Sequence, residues 1–217
     1  MTVEQIADQI YHYKKKGLKL FISSSFQSHS IPLLHIISEI DRTIPVMFIH
    51  TGYHFPETLK FRDEVIDLLG LPLVNVYPNV SKVNQRDCKG NLLYTSDPDY
   101  CCYLNKTKPM ETVLAEYDIW INGIRADQSS NRKKMQTEQE AGFGCTRFHP
   151  VLDWNSKMIF DYQKKYDLPK HPLEAEGYLS IGCEPCTRKP DPNDERSGRW
   201  FGMNKTECGL HIDLIKE

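Results

Sequence analysis

The chain has 217 residues, of which 40% are hydrophobic and 26% charged, with a formal net charge of -2. That composition suits one core-forming domain and excludes a mainly disordered chain. The near-neutral balance speaks against a binder of polymeric nucleic acid or of anionic membranes, and no apolar run approaches the roughly 20 residues that cross a bilayer.

The opening MTVEQIADQIYHYKKKG carries acids and lacks an apolar signal core, so the expected location is cytoplasmic. It predicts a scaffold helix with Thr2 as cap, Gln5 completing a capping box, Ile6 and Ile10 on one face, and Gly17 after the last turn. Short apolar runs at 18–23, 45–50, 73–77 and 118–122 read as strands buried on both faces. Helical segments at 31–41, 57–69 and 107–116 separate them, with Pro56 leading into the second and Gly70 closing it. The expected class is therefore α/β, a mostly parallel twisted sheet flanked by helices, in a single domain spanning 1–217.

Ligands of such sheets bind beyond the carboxyl ends of the strands. The loops SSSFQSHS, HTGYHFPET and GIRADQSSNR are thus the expected rim. From about 170 the periodicity gives way to a stretch rich in Pro, Gly, Cys and charge, read as a substrate- and cofactor-binding segment ending in a mobile tail.

Seven cysteines, an odd number without a secretion leader, point to metal binding or thiol chemistry rather than to disulfides. Cys101 and Cys102 are adjacent; Cys183 and Cys186 form a CxxC. Four soft ligands suit a tetrahedral zinc ion or an iron–sulfur cluster, and the divergent side chains of neighbouring residues favour the larger object. The competing readings are that Cys101 and Cys102 pack as small hydrophobes, or that zinc stabilises a nucleotide-binding module without catalysis. Cys88 and Cys145 read as incidental or buried. Cys208, nine residues from the last position, lies where a thiol can travel.

Arg125 and Arg132 in the third rim loop, and Arg196 and Arg199 in ERSGRW, supply planar guanidinium groups for phosphate or sulfate. The hydroxyls of Ser23, Ser24 and Ser25 and the backbone around Phe26 offer a cradle for one phosphate, without the pattern of a Walker loop.

Together these residues resemble the assimilatory sulfonucleotide reductases, over nearly the whole chain. SSSFQ resembles that family's serine-rich version of the SGGxDS loop of ATP pyrophosphatases. HTGYHFPET is similar to DTGxxFPET, GIRADQSSNR to GxRxxQSxxR, ERSGRW to xRxGRW, and ECGLH to the carboxyl-terminal catalytic motif. CCYLNKTKP and GCEPCTR resemble the paired motifs of the cluster-bearing branch.

The resemblance implies an adenine nucleotide alpha hydrolase-like fold and thioredoxin-dependent reduction of adenylyl sulfate, or of its 3'-phosphorylated form, to sulfite. It implies a 4Fe-4S cluster on Cys101, Cys102, Cys183 and Cys186, with Lys106 near cluster and substrate. Ser23, Ser24, Ser25, Phe26, Thr51, Gly52, Arg125, Arg132, Arg196 and Arg199 are the expected substrate contacts. Cys208 is the expected nucleophile, with His211 nearby. The oligomeric state stays open, a homo-oligomer being compatible with it. Two departures stand out: His50 replaces the aspartate before Thr-Gly, and Asn105 replaces a second basic residue beside Lys106.

Overall fold

The computed structural model describes residues 1–191, 197–203, 205, 207–211 and 214. The first helix, α1 (Val3–Lys15), carries the expected capping box, with the Gln5 amide donating to Thr2 Oγ1 and the Thr2 amide donating to Gln5 Oε1, a cap worth about 1 kcal/mol. Its apolar stripe of Ile6, Ile10 and Tyr13 is buried.

Strands β1 (Leu20–Ser23), β2 (Val46–Ile49) and β3 (Leu73–Val76) alternate with helices α2 (Ile31–Ile40) and α3 (Pro56–Leu69). Gly70 ends α3 with φ 62°, a conformation that favours glycine. Then come the short helices α4 (Leu93–Ser96) and α5 (Pro98–Cys102), helix α6 (Lys108–Leu114) and strand β4 (Ile119–Asn122). A short hairpin of β5 (Glu138–Glu140) and β6 (Thr146–Phe148), helix α7 (Ser156–Lys165) and one turn, α8 (Pro172–Ala175), follow.

The sheet order is β3-β2-β1-β4-β6-β5. All pairings are parallel except β5 with β6. From β1 the chain winds outward through β2 to β3, then returns to the other side of β1 as β4. That reversal makes a switch point between β1 and β4, where Ser23 pairs with Asn122 at the carboxyl ends, and a crevice opens at such a point.

Side chains alternate cleanly on the central strands. Ile22, Val46, Phe48, Ile119 and Ile121 enter a large core with α1, α2, α3 and α7. Phe21, Met47 and Trp120 enter a second core with Met110 and Leu114 of α6 and Leu214 of the tail. The strand at 73–77 departs from the expected two-sided burial: β3 is an edge strand, and Val74 is 41% exposed.

Candidate active site

A cavity of about 450 Å³ opens at the switch point, within the range of about 300–1,000 Å³ usual for small-ligand sites. The loop after β1, the loop after β4, the segment at 179–183 and the tail all reach it. Of the expected substrate contacts, it brings together Ser23, Ser24, Ser25, Thr51, Lys106, Arg125, Arg132 and Arg199, with Cys208 beside them.

Phe26 and Gly52 are absent from the described lining. Phe26 has φ 54° and a fully buried ring that meets Phe48 in the main core. It anchors the serine loop from below instead of filling the cavity. Gly52, at φ 75°, is exposed and its carbonyl accepts from Lys82 Nζ at 3.2 Å. Arg196 lies outside the described residues. The backbone of His211 closes a 3-10 turn over Gly209–His211.

The serine loop is tied down from several sides. Trp120 Nε1 donates to Ser23 Oγ at 2.6 Å, and the Phe26 amide donates to Ser24 Oγ at 3.0 Å. Gln27 accepts from the Ile181 amide at 3.0 Å, joining this loop to the segment that carries the CxxC.

The two arginines after β4 are held differently. Arg125 is 2% exposed, donates through Nε to Asp127 at 3.0 Å and through Nη2 to Ser156 at 3.1 Å, and leaves Nη1 without a partner. A buried donor left unpaired next to a cavity is a ligand-binding valence, because burying it unsatisfied is costly. Arg132 spends two of its donors on Glu207, at 3.0 Å each. Sequence reasoning missed Asn122, whose two amide atoms both lack partners although the residue is 3% exposed and lines the cavity.

Arg199 reaches the cavity from a ribbon. Thr187 and Arg199 form an antiparallel bridge, the Arg188 amide donates to the Gly198 carbonyl at 2.8 Å, and the Trp200 amide donates to the Cys186 carbonyl at 3.0 Å. SGRW is thereby paired along the CxxC loop. Arg199 Nη1 donates to the Ile181 carbonyl at 3.2 Å, its Nε has no partner, and its guanidinium lies 4.6 Å from the Trp200 ring centre. The guanidinium fits only because position 182 is glycine: a Cβ there would meet Arg199 Nη2 at 2.2 Å.

Cys101 and Cys102 end α5, which Pro98 starts and the Asp97 side chain caps. The helical run continues to Leu114 but widens over Tyr103–Thr107, where the Lys108 amide reaches back five residues to the Tyr103 carbonyl. Pro109 explains the widening, since it offers no N–H to the Asn105 carbonyl. The Asn105 amide, 1% exposed, exchanges hydrogen bonds with Gln85 at 2.6 and 2.9 Å and approaches Cys101 Sγ at 3.6 Å. Thr51 Oγ1 lies 3.4 Å from Cys183 Sγ, and Lys106 Nζ 3.9 Å from Cys102 Sγ.

Burial, followed by the charge of Cys102 in the one case and of Cys183 in the other, pushes the thiols of Cys101 and Cys186 up to about 12 and about 11. Burial likewise raises Cys102. Thiols raised in this way, as in Cys101, Cys102 and Cys186, call for a cation if they are to ionise together. For Lys106, burial works against the charge, but Cys183, Cys208 and Cys102 outweigh it and hold its pKa above the ordinary lysine value. Among the described residues no three His, Cys, Asp or Glu side chains gather closely enough for a single metal ion. The two cysteine pairs supply four buried or half-buried soft donors, the kind of set that a thiolate-bound metal or cluster takes.

Cys208 is half-buried, and two described residues beyond it are docked on the domain. Leu214 is buried in the second core, and Arg147 Nη2 donates to the Leu210 carbonyl at 2.7 Å. His50 packs against Tyr77 and His54 rather than lining the cavity. Cys145 is fully buried and Cys88 exposed.

A phosphoadenosine phosphosulfate reductase domain matches residues 19–189. The adenosine 5'-phosphosulfate reductase of Chelativorans sp. is 41% identical over 191 residues, covering 87% of this chain and 77% of that protein. The phosphoadenosine 5'-phosphosulfate reductase of Gloeobacter violaceus is 40% identical over 200 residues, covering 90% and 83%. The phosphoadenylyl-sulfate reductase of Candida auris, solved as a phosphate complex, shares the fold, with a TM-score of 0.64 over 76% of this chain and 81% of that one at 23% identity. With the match running from β1 through the CxxC loop, and with the relatives aligned along most of their length, the chain belongs to the phosphoadenosine phosphosulfate reductase family.

Proposed function

We propose that this chain is a sulfonucleotide reductase that converts adenylyl sulfate to sulfite and AMP, with a thioredoxin-type dithiol as reductant. The observation that carries the reading is the convergence of the tail thiol Cys208, the cations Lys106 and Arg199, and the serine loop on one cavity at the switch point. A nucleophile, an anion site and a nucleotide-sized cleft are the parts that this displacement requires.

In the first step the Cys208 thiolate attacks the sulfur of the bound sulfate. An S–S bond forms, the bond from sulfur to the bridging phosphate oxygen breaks, and AMP leaves with the electron pair. Lys106, Arg125 Nη1 and Arg199 lower the repulsion between thiolate and sulfate and receive the charge that develops on the leaving phosphate. Lys106 Nζ stands 3.9 Å from Cys102 Sγ, and a pKa held above the ordinary lysine value keeps it protonated throughout.

In the second step one thiolate of the reductant attacks Cys208 Sγ and sulfite departs. The reductant's second thiol then closes a disulfide and returns Cys208 reduced. The dithiol supplies the two electrons that take sulfate-level sulfur to sulfite. A surface dithiol cannot enter the cavity, so the tail must carry the S-sulfonated cysteine outward.

Cys101, Cys102, Cys183 and Cys186 would hold a 4Fe-4S cluster. Bound there, the group would keep the four thiols ionised and fasten α5 to the CxxC loop. What supports it is four soft donors on α5 and the CxxC loop, with burial raising the thiols of Cys101, Cys102 and Cys186.

The test is sulfite release from adenylyl sulfate and from its 3'-phosphorylated form, with reduced thioredoxin, by anaerobically purified protein of measured iron content. Wild-type turnover that vanishes in Cys208→Ser is expected, with about four irons per chain if the cluster reading holds. Full turnover by Cys208→Ser overturns the mechanism, higher turnover on the 3'-phosphorylated form overturns the substrate preference, and a zinc-loaded, colourless protein overturns the cluster.

A further inference from the structure

Glu207 immediately precedes Cys208 and is 1% exposed. A carboxylate that deep stays ionised only when its oxygens are fully paired. Arg132, itself 8% exposed, forks onto it, Nε to Oε2 and Nη2 to Oε1, each at 3.0 Å. Ser129 Oγ donates to Oε2 at 3.2 Å and also accepts from the Arg132 amide at 3.3 Å, so the loop after β4 presents both donors as a unit.

The Cys208 amide donates to Glu207 Oε1 at 3.0 Å. The carboxylate therefore binds the backbone of the thiol-bearing residue and the loop after β4 at once. Moving one oxygen moves the other contact with it.

We infer that Glu207 is the positioning residue of Cys208, and that its fork with Arg132 is the latch that closes the tail thiol over the cavity. The inference rests on the functional reading above for its purpose, and on the ion-pair geometry for its existence. A charged pair suits a contact that must open and close. Inside the protein the fork is specific in direction, and when the tail leaves, both ions recover their hydration in water. On this reading the second arginine of the rim loop serves the tail, while Arg125, with a free Nη1, serves the anion.

The test is the rate at which iodoacetamide alkylates Cys208 in the full-length protein, read by mass spectrometry beside exposed Cys88 and buried Cys145 in the same chain. Glu207→Gln and Arg132→Gln are each expected to speed Cys208 alkylation by about tenfold relative to Cys88, with the double variant no faster than either single one. The reversed pair, Glu207→Arg with Arg132→Glu, is expected to return toward the wild-type rate. Such rescue does not follow from a merely space-filling role. Single-turnover S-sulfonation of Cys208 should slow in Glu207→Gln while the KM for the nucleotide holds.

Should either single variant lose the fold, Cys145 becomes reactive as well. Ser129→Ala, which removes one hydroxyl, then decides, with an expected rise of about twofold to threefold. Cys208 alkylation at the wild-type rate in Glu207→Gln, or in Ser129→Ala where the former does not fold, overturns the latch. Absent wild-type turnover beside a Cys208 that Glu207→Gln exposes overturns the functional reading and leaves the latch standing.

Discussion

Lowering the pH from 8 to 5 should destabilise the protein, and His149 should account for a measurable share. The imidazole is fully buried at the end of β6, where Nδ1 meets the Gln136 carbonyl at 2.7 Å and Nε2 has no partner. Burial, opposed by that backbone contact and assisted by the charges of Arg147 and Arg132, lowers its pKa from 6.5 to about 4. The folded state therefore refuses a proton that the unfolded state accepts. The contribution is fully present above pH 6.5, falls as the pH drops, and is exhausted near pH 4.

Inserting these two values into the linkage relation gives a loss of about 2 kcal/mol at pH 5, approaching about 3 kcal/mol at lower pH. The assay is urea unfolding at pH 8 and pH 5 for the wild type and for His149→Asn, whose amide can still donate to the Gln136 carbonyl. The variant is expected to be weaker at pH 8, and its loss between the two pH values should be smaller by about 2 kcal/mol. Other buried histidines contribute equally to both proteins and cancel. Equal pH dependence in the two proteins would refute the reasoning.

Two further substitutions probe the cavity. Asn122→Ala removes an amide with no partner, so it should stabilise the ligand-free protein by about 1 kcal/mol while weakening nucleotide binding by about tenfold, as thermal unfolding and AMP titration calorimetry would show; weaker stability with unchanged affinity would contradict the assignment. Gly182→Ala displaces the Arg199 guanidinium, and the rate of Cys208 S-sulfonation should fall by roughly 10- to 100-fold, the worth of a hydrogen bond to a charged group, with the melting temperature held within a few degrees. An unchanged rate would mean that Arg199 does not serve the anion.

Much of the architecture follows from patterns short enough to read directly. Ile22, Phe48 and Ile121 sit in continuous apolar runs, and such runs mark strands covered on both sides. The hairpin of β5 and β6 was hidden because Arg147 interrupts its apolar pattern. That guanidinium is fully buried and lies 4.1 Å from the centre of the Trp120 ring, a partner that only the folded sheet supplies. Helix α7 carried a local signal, the Asn155 cap, whose side chain accepts from the Met158 amide.

The candidate site was legible where chemistry is concentrated in a motif, as in the serine loop, the cysteine pairs and ECGLH. Roles that depend on long-range partners were not. The sequence gives no sign that Arg132 meets a residue 75 positions away, or that Phe26 turns inward. Asn122 looked like the end of a strand, and its two unpaired amide atoms become visible only once the crevice is formed.

The ribbon between Thr187 and Arg199 has a consequence for how the protein ages in air. Because the Cys186 carbonyl and the Trp200 amide share a hydrogen bond, the thiols of the CxxC and the anion-gripping guanidinium stand on one support. Oxidation of Cys183 or Cys186 would therefore act on the ribbon that carries Arg199 as well as on the thiols themselves.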